Sequence, residues 1–172
     1  MDEAQAFQEE FVQSCRYRME ESLRMVRIAM ESLTEEQVWQ RPNTSLNSVG
    51  NLILHLCGNM TQYGLASLNN DPDDRNRDLE FSTIGGLSKS ELLEKLTITV
   101  AKVINTFQSV TRERLLAYRQ VQGFSFSGIG NMIHVVEHFS YHTGQIAFWV
   151  KQLHNKPLGF YDGADLNVKN DA

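Results

Sequence analysis

The chain has 172 residues, a net charge of −5 at pH 7 and a pI near 5.5. This length predicts one domain over residues 1–172, and the acidic balance argues against a nucleic-acid-binding protein, which needs a basic patch. The chain has two cysteines, which predicts no disulfide framework. Its N-terminus is polar without a signal-peptide pattern, and no apolar run approaches the roughly 20 residues of a membrane span. These features predict a cytoplasmic protein without a membrane partner.

Four long amphipathic helices are predicted from apolar residues spaced three and four positions apart. They cover residues 3–33, 47–68, 88–114 and 127–154. A short helix that ends near Trp39 lies between the first two and begins at the capping-box sequence Thr34-Glu35-Glu36-Gln37. The third long helix begins at a second capping box, Ser88-Lys89-Ser90-Glu91. Residues 69–87 and 115–126 are predicted as long irregular connections.

The predicted fold class is all-α, a four-helix bundle with long connections after the second and third helices. No strand pattern accompanies the helical segments. Connections of this length permit a non-sequential helix arrangement, unlike the short loops of an up-and-down bundle. Because residues 69–87 are unusually long for a bundle loop, we expect them to pack across the surface or a mouth of the fold.

The histidine spacing in the last helix is the most informative pattern. His134, His138 and His142 recur at every fourth residue, and residues four apart lie on one helix face, with Cβ atoms roughly 5–6 Å apart. At about 100° per residue, His138 and His142 lie at the inner margin of the apolar face, whereas His134 turns toward Glu137 and is predicted to be exposed. The same reasoning places His55 at the edge of the buried stripe of the second helix.

The margins of two helices can converge at a crevice of a bundle, where metal sites are usually built. His55, His138 and His142 would give three nitrogen ligands and leave coordination positions open, as in a catalytic zinc site. The alternative is that all three are ordinary histidines at helix margins. Gln145 either hydrogen-bonds a ligand imidazole or a bound water, or is a polar residue of the helix face. Zinc, nickel, manganese and iron all accept imidazole ligands.

Other chemistries are disfavoured. Residues 134–138 have the H-x-x-E-H form of a zinc peptidase, but no glutamate follows them to complete such a site. No histidine has a glutamate three residues before it, which excludes the familiar di-iron pattern. Cys57 faces a different direction from His55 and is predicted to be a packed residue. Gly144 is expected to let a neighbouring helix approach closely, and Trp149 to belong to the core.

Two segments resemble motifs of the DinB/YfiT-like superfamily, in which one histidine lies early in the second helix and an H-x3-H pattern followed by x-G-Q lies in the last. They are Asn47-Ser48-Val49-Gly50-Asn51-Leu52-Ile53-Leu54-His55-Leu56 and His138-Phe139-Ser140-Tyr141-His142-Thr143-Gly144-Gln145-Ile146. The order and spacing of the helices are similar over nearly the whole chain. Tyr141 and Thr143 stand where many members have a histidine and an arginine.

The resemblance implies an antiparallel four-helix bundle, often homodimeric, with one divalent metal ion on His55, His138 and His142, preferably zinc or nickel. Some relatives are thiol-dependent transferases or isomerases, and many have no known activity. The resemblance therefore implies a metal-dependent enzyme that activates a thiol or water to attack a small-molecule substrate, as an S-transferase with a low-molecular-weight thiol cosubstrate or as a hydrolase. The alternatives are a non-catalytic metal-binding or stress-response bundle and a purely structural dimer with a vestigial site.

Overall fold

The computed structural model describes residues 2–169 of the chain. In chain order its elements are α1 (Glu3–Glu31), α2 (Glu35–Trp39), α3 (Val49–Asn59), a π-helical segment (Met60–Ala66), α4 (Ser67–Asn69), α5 (Arg77–Ser82), α6 (Lys89–Ser109), α7 (Arg112–Leu116), β1 (Tyr118–Val121), β2 (Phe124–Ser127) and α8 (Gly128–His154). The predicted helical bundle is confirmed, with a two-stranded sheet added to it. No helix among the described residues is long and apolar enough to cross a membrane.

Four helical rods build the bundle, and the second rod is continuous from α3 through the π-helical segment to α4. α1 packs against α6 and α8, and the second rod packs against the same two helices. The first two rods therefore lie across the diagonal from each other, which confirms a non-sequential arrangement. Fully buried apolar side chains from every rod fill the centre, including Met19, Ile53, Leu96 and Phe139. Burying each contributes about 1.5–3 kcal/mol.

Side-chain caps define the predicted helix starts. Thr34 Oγ1 accepts from the Gln37 amide at 3.2 Å, and Gln37 Oε1 accepts from the Thr34 amide at 3.0 Å, so the first predicted capping box forms. The box at Ser88 and Glu91 forms in the same way. α6 ends earlier than predicted, at Ser109, and a new cap at Thr111 begins the separate helix α7.

The connection over residues 115–126 was predicted to be irregular, but it contains a β-hairpin. β1 and β2 pair antiparallel, with Val121 opposite Phe124. Gln122 and Gly123 between them have φ values of 52° and 82°. Positive φ at both loop residues is the conformation of a type I′ turn, whose usual sequence is Asn-Gly or Asp-Gly. The Tyr63 hydroxyl donates to Gln122 Oε1 at 3.0 Å and holds the hairpin against the second rod.

Candidate metal centre

The three histidines predicted as ligands lie together between the second rod and α8. One ring nitrogen from each of His55, His138 and His142 lies within 4.8 Å of the other two. The Nε2 atoms of His55 and His138 are 3.2 Å apart. Two nitrogens at about 2.0–2.1 Å from a tetrahedral zinc ion are separated by about 3.3 Å. The observed distance therefore fits two ligands of one ion, and the triad is compatible with metal binding.

His138 and His142 are held in the neutral form that binds metals. Burial, followed by the neighbouring His142 and His55, lowers the pKa of His138 to about 3. Burial and the nearby His55 lower the pKa of His142 to about 4, although the hydrogen bond with Gln145 acts in the opposite direction. Both rings are therefore uncharged at neutral pH, and each keeps a nitrogen lone pair available.

A buried ion pair holds His55 from behind. His55 Nδ1 lies 2.9 Å from Glu80 Oε2, and Arg75 binds the same carboxylate through Nε at 2.7 Å and Nη2 at 2.8 Å. The side chains of His55, Glu80 and Arg75 are 8%, 9% and 4% exposed. Burial raises the pKa of Glu80, but hydrogen bonds from Arg75 and His55 outweigh it and bring the pKa below its ordinary value. When Nδ1 carries the proton, His55 donates to Glu80 and its Nε2 lone pair faces the other histidines.

The second and third histidines have different partners. His142 Nδ1 lies 2.7 Å from Gln145 Oε1. Because an amide oxygen only accepts, this contact places the proton on Nδ1. The Nε2 atom of His142 then carries the lone pair that can bind a metal. The Nδ1 atom of His138 is buried and has no hydrogen-bond partner within residues 2–169. Two of the three rings are therefore oriented by a protein acceptor.

One face of the second rod receives the connection that contains α5. This polar face carries four residues at spacings of four, three and four: Asn51, His55, Gly58 and Gln62. Asn51 Nδ2 donates to the backbone carbonyls of Glu80 at 3.0 Å and Thr83 at 2.7 Å. Gln62 Oε1 accepts from Arg75 Nη1 at 2.8 Å. The expectation that residues 69–87 pack across the bundle is confirmed, and their contacts extend to the histidine cluster.

Gly58 makes room for the ion pair. A Cβ atom at this position would lie 1.8 Å from Glu80 Oε1 and 3.0 Å from Arg75 Nε. Arg75 and Glu80 were not predicted as site residues, because they lie in a segment without helical periodicity. The available signal was the polar face of the second rod, since Asn51 and Gln62 lie at helical spacing from His55.

His134 lies outside the triad, but the prediction that it is exposed is wrong. Its ring is half-buried and lies 4.0 Å, between centroids, from the ring of Tyr63. Asn59 Nδ2 donates to His134 Nε2 at 3.0 Å, and burial lowers the pKa of this histidine. The hairpin covers this flank of α8, with Phe126 stacked near His134. The histidine cluster within residues 2–169 does not include His134, and Glu137 is exposed, which argues against a peptidase site at the H-x-x-E-H pattern.

A cavity of about 820 Å³ opens beside the triad and is lined by His55, His138 and His142. Gly144 also lines it, and a Cβ atom there would have no neighbour within 4 Å. The expectation that Gly144 accommodates a packed helix is therefore wrong. Trp149 is only partly buried and forms part of the cavity wall rather than the centre of the core.

The chain matches the family described as "protein of unknown function (DUF1572)" over residues 6–160. The chain belongs to this family. A search of curated proteins finds no match. The chain is also similar to a solved DinB-like protein from Bacillus cereus ATCC 10987, with a TM-score of 0.66, 15% identity, and coverage of 86% of this chain and 92% of that one.

A conserved protein from Enterococcus faecalis is similar in the same way. Its structure gives a TM-score of 0.63 and 16% identity, and the match covers 91% of this chain and 99% of that one. At these identities the two structures establish the fold. The fold that the resemblance to DinB-like proteins implies is therefore confirmed.

Cys57 is close to His55 in the chain but is a buried thiol and not a nucleophile of the site. Its side chain is 3% exposed, and burial raises the pKa of the thiol to about 11. A thiol with such a pKa is protonated at neutral pH and is a poor nucleophile. The prediction that Cys57 is a packed residue is confirmed.

Proposed function

We propose that this DUF1572 protein binds one divalent metal ion through His55, His138 and His142 and activates a thiol or water nucleophile there. The observation that supports the proposal is the convergence of three ring nitrogens, two of them on rings kept neutral, on one wall of a large cavity. Three nitrogen ligands leave coordination positions open for a nucleophile. Zinc or nickel is the preferred ion, and manganese and iron also accept imidazole.

The residues around the triad prepare it for this role. Gln145 accepts from Nδ1 of His142, and Glu80 accepts from Nδ1 of His55 when that nitrogen carries the proton, which leaves Nε2 of each ring available to the ion. Glu80 is bound by Arg75 as well, which keeps it charged and makes it a positioning residue rather than a free base. A divalent ion bound there would lower the pKa of a coordinated thiol or water and supply the nucleophile at neutral pH.

The metal is tested first. Purified protein is expected to contain close to one divalent ion per chain by elemental analysis, and EDTA-treated protein to take up one equivalent again. His138→Ala is expected to lose this ion. His134→Ala is the matched control, because His134 lies one turn earlier on α8 and outside the triad, and it is expected to keep it. Equal metal content in His138→Ala and wild type would contradict the proposal.

The reaction is tested next with metal-loaded protein. The S-transferase form predicts conjugation of a low-molecular-weight thiol, such as bacillithiol, mycothiol or glutathione, to monochlorobimane. The hydrolase form predicts cleavage of an activated ester such as 4-nitrophenyl acetate. In both assays His138→Ala is the negative control and His134→Ala the positive one. Metal binding without either reaction would favour the alternative, a non-catalytic metal-binding or stress-response bundle.

Three further properties belong to this proposal. We infer that residues 1–172 form one domain, that it acts in the cytoplasm, and that it assembles as a homodimer, as the superfamily resemblance implies. Light scattering checks the assembly, because one chain has a mass of 19.7 kDa. A mass of one chain at micromolar concentration would contradict the homodimer.

A further inference from the structure

The charged side chain at the cavity beside the triad is positive. Among residues 2–169, no aspartate or glutamate lines it, although the chain as a whole has a net charge of −5. Arg77 is the one arginine or lysine that lines it within the described residues. The remaining wall is largely apolar and includes Leu46, Leu52, Phe148 and Trp149. A wall of this kind disfavours a cationic ligand and accepts an apolar one.

Arg77 is available to a ligand. It forms no ion pair and no side-chain hydrogen bond within residues 2–169, unlike the buried Arg75 two positions earlier. Its Cζ atom lies 4.8 Å from the ring centroid of Phe81, and that ring lies 4.7 Å from the ring centroid of His55. The guanidinium is therefore within about 9.5 Å of the His55 ring. Stacking on Phe81 restricts the arginine without using its hydrogen-bond donors.

We propose that the cavity binds an apolar carboxylate, an aryl or alkyl molecule whose carboxylate pairs with Arg77 while its other end lies at the triad. Arginine matches a carboxylate with two parallel hydrogen bonds, and the apolar wall buries the carbon skeleton. An apolar carboxylate would be the substrate class of the proposed enzyme. The proposal rests on that function only for the end of the ligand that lies at the triad. The binding itself is a property of the cavity and can be measured without metal.

Trp149 provides the measurement. The chain has two tryptophans, and Trp39→Phe leaves Trp149 in the cavity wall as the single reporter. EDTA-treated protein is titrated at low ionic strength with three ligands of equal length: 4-phenylbutanoate, 4-phenylbutan-1-ol and 4-phenylbutylammonium. The carboxylate is expected to bind up to about fivefold more tightly than the alcohol, the upper end of the gain from an exposed ion pair, and the ammonium most weakly. Calorimetry on the wild type repeats the series without the substitution at Trp39.

Four variants locate the binding. Arg77→Gln is expected to remove the preference for carboxylate over alcohol, whereas Lys102→Gln, an equal charge change on α6, is expected to keep it. Gly144→Leu places a side chain in the open space of the cavity and is expected to weaken all three ligands at least tenfold. Phe148→Asp, at a side chain that is 69% exposed, is expected to reverse the order of carboxylate and ammonium. Circular dichroism confirms that each variant is folded.

Three results would overturn the inference: equal binding of the three ligands, a carboxylate preference that survives Arg77→Gln, or unchanged affinity in Gly144→Leu. The failure of this inference is distinguishable from that of the metal proposal. Protein that holds one ion per chain but shows no carboxylate preference keeps the metal proposal and loses this one. Protein that shows the full ligand pattern but takes up no divalent ion when metal is added back keeps this inference and loses the metal proposal.

Discussion

The buried pair of Arg75 and Glu80 allows stability to be separated from metal binding. Glu80→Leu removes the acceptor of His55 and leaves the Arg75 guanidinium, which is 4% exposed, without a counter-charge. Stranding one partner of a buried ion pair costs about 3–5 kcal/mol of unfolding free energy. Losing the residue that orients a metal-binding histidine costs about 10–100-fold in metal affinity. Glu80→Leu is therefore expected to lower both quantities.

The double variant Arg75→Met/Glu80→Leu distinguishes the two effects. Replacing both members of a buried pair by apolar residues is often neutral or stabilising, so most of the stability is expected to return. His55 still has no acceptor in the double variant, and the zinc affinity is expected to remain about 10–100-fold below wild type. Glu80→Gln keeps an oxygen acceptor without the charge, and its zinc affinity is expected to lie between those of the wild type and the double variant.

Urea denaturation of metal-free protein measures the stability of each variant, and competition with a chromophoric chelator measures its zinc affinity. Wild-type zinc affinity in the double variant would show that His55 needs no acceptor and would refute the role assigned to Glu80. Wild-type stability in Glu80→Leu would show that the Arg75 charge is solvated after the substitution. Either result can be obtained without knowing the reaction.

Three other predictions follow from burial and close approach. The folded-state pKa values of His138 and His142, about 3 and about 4, lie below the ordinary value, so the unfolded chain takes up protons first as pH falls. The contribution of these two histidines to the unfolding free energy of metal-free protein, measured by urea denaturation, is therefore expected to be constant above about pH 6.5 and to fall toward pH 4, by at most about 2.7 kcal/mol per pH unit for two protons. Gly58→Ala forces the adjacent carboxylate aside and is expected to cost about 1–3 kcal/mol in thermal denaturation and to lower zinc affinity, whereas its control Gly144→Ala is expected to be neutral or stabilising by up to about 1 kcal/mol. Cys57 is expected to react with Ellman's reagent only as fast as the protein unfolds, and rapid reaction in native buffer would contradict its burial.

The three histidines could be selected from the sequence because helix geometry is set by the backbone. A spacing of four residues places His138 and His142 one above the other on α8, whatever the rest of the chain does. Their orientation toward the core follows from the apolar residues beside them. Selecting His55 required that the second helix also place a histidine at the edge of its apolar face, and this helix does so. Periodic features, including the capping boxes at Thr34 and Ser88, are predictable for the same reason.

The residues behind His55 were not predictable in this way. Arg75 and Glu80 lie in a connection with no repeat, and their position depends on tertiary contacts with the second rod. The hairpin was missed for a similar reason, because its Gln122-Gly123 turn has an uncommon sequence and is held by Tyr63. The hairpin also covers the flank of α8 at His134, which explains why helix phase alone placed that residue in solvent.

The tautomer of His55 links the triad to the connection around Arg75 and Glu80. His55 Nδ1 lies 2.9 Å from Glu80 Oε2 and 3.1 Å from Arg75 Nη2, so without metal it can either donate to the carboxylate or accept from the guanidinium. A ligand bond at Nε2 requires the proton on Nδ1 and therefore favours the contact with Glu80. Since such coupling is reciprocal, zinc is expected to stabilise residues 70–83, and Glu80→Gln to weaken that effect.

Hydrogen–deuterium exchange measures this coupling directly. Amides of residues 70–83 are expected to exchange more slowly in zinc-loaded than in EDTA-treated protein, because local opening of this segment breaks the contact that metal favours. Amides of the hairpin, which also packs on the second rod but does not contact His55, are the internal reference and are expected to change less. Equal protection of residues 70–83 with and without zinc would mean that the triad and this connection are independent. The contact between Glu80 and His55 would then serve the fold alone.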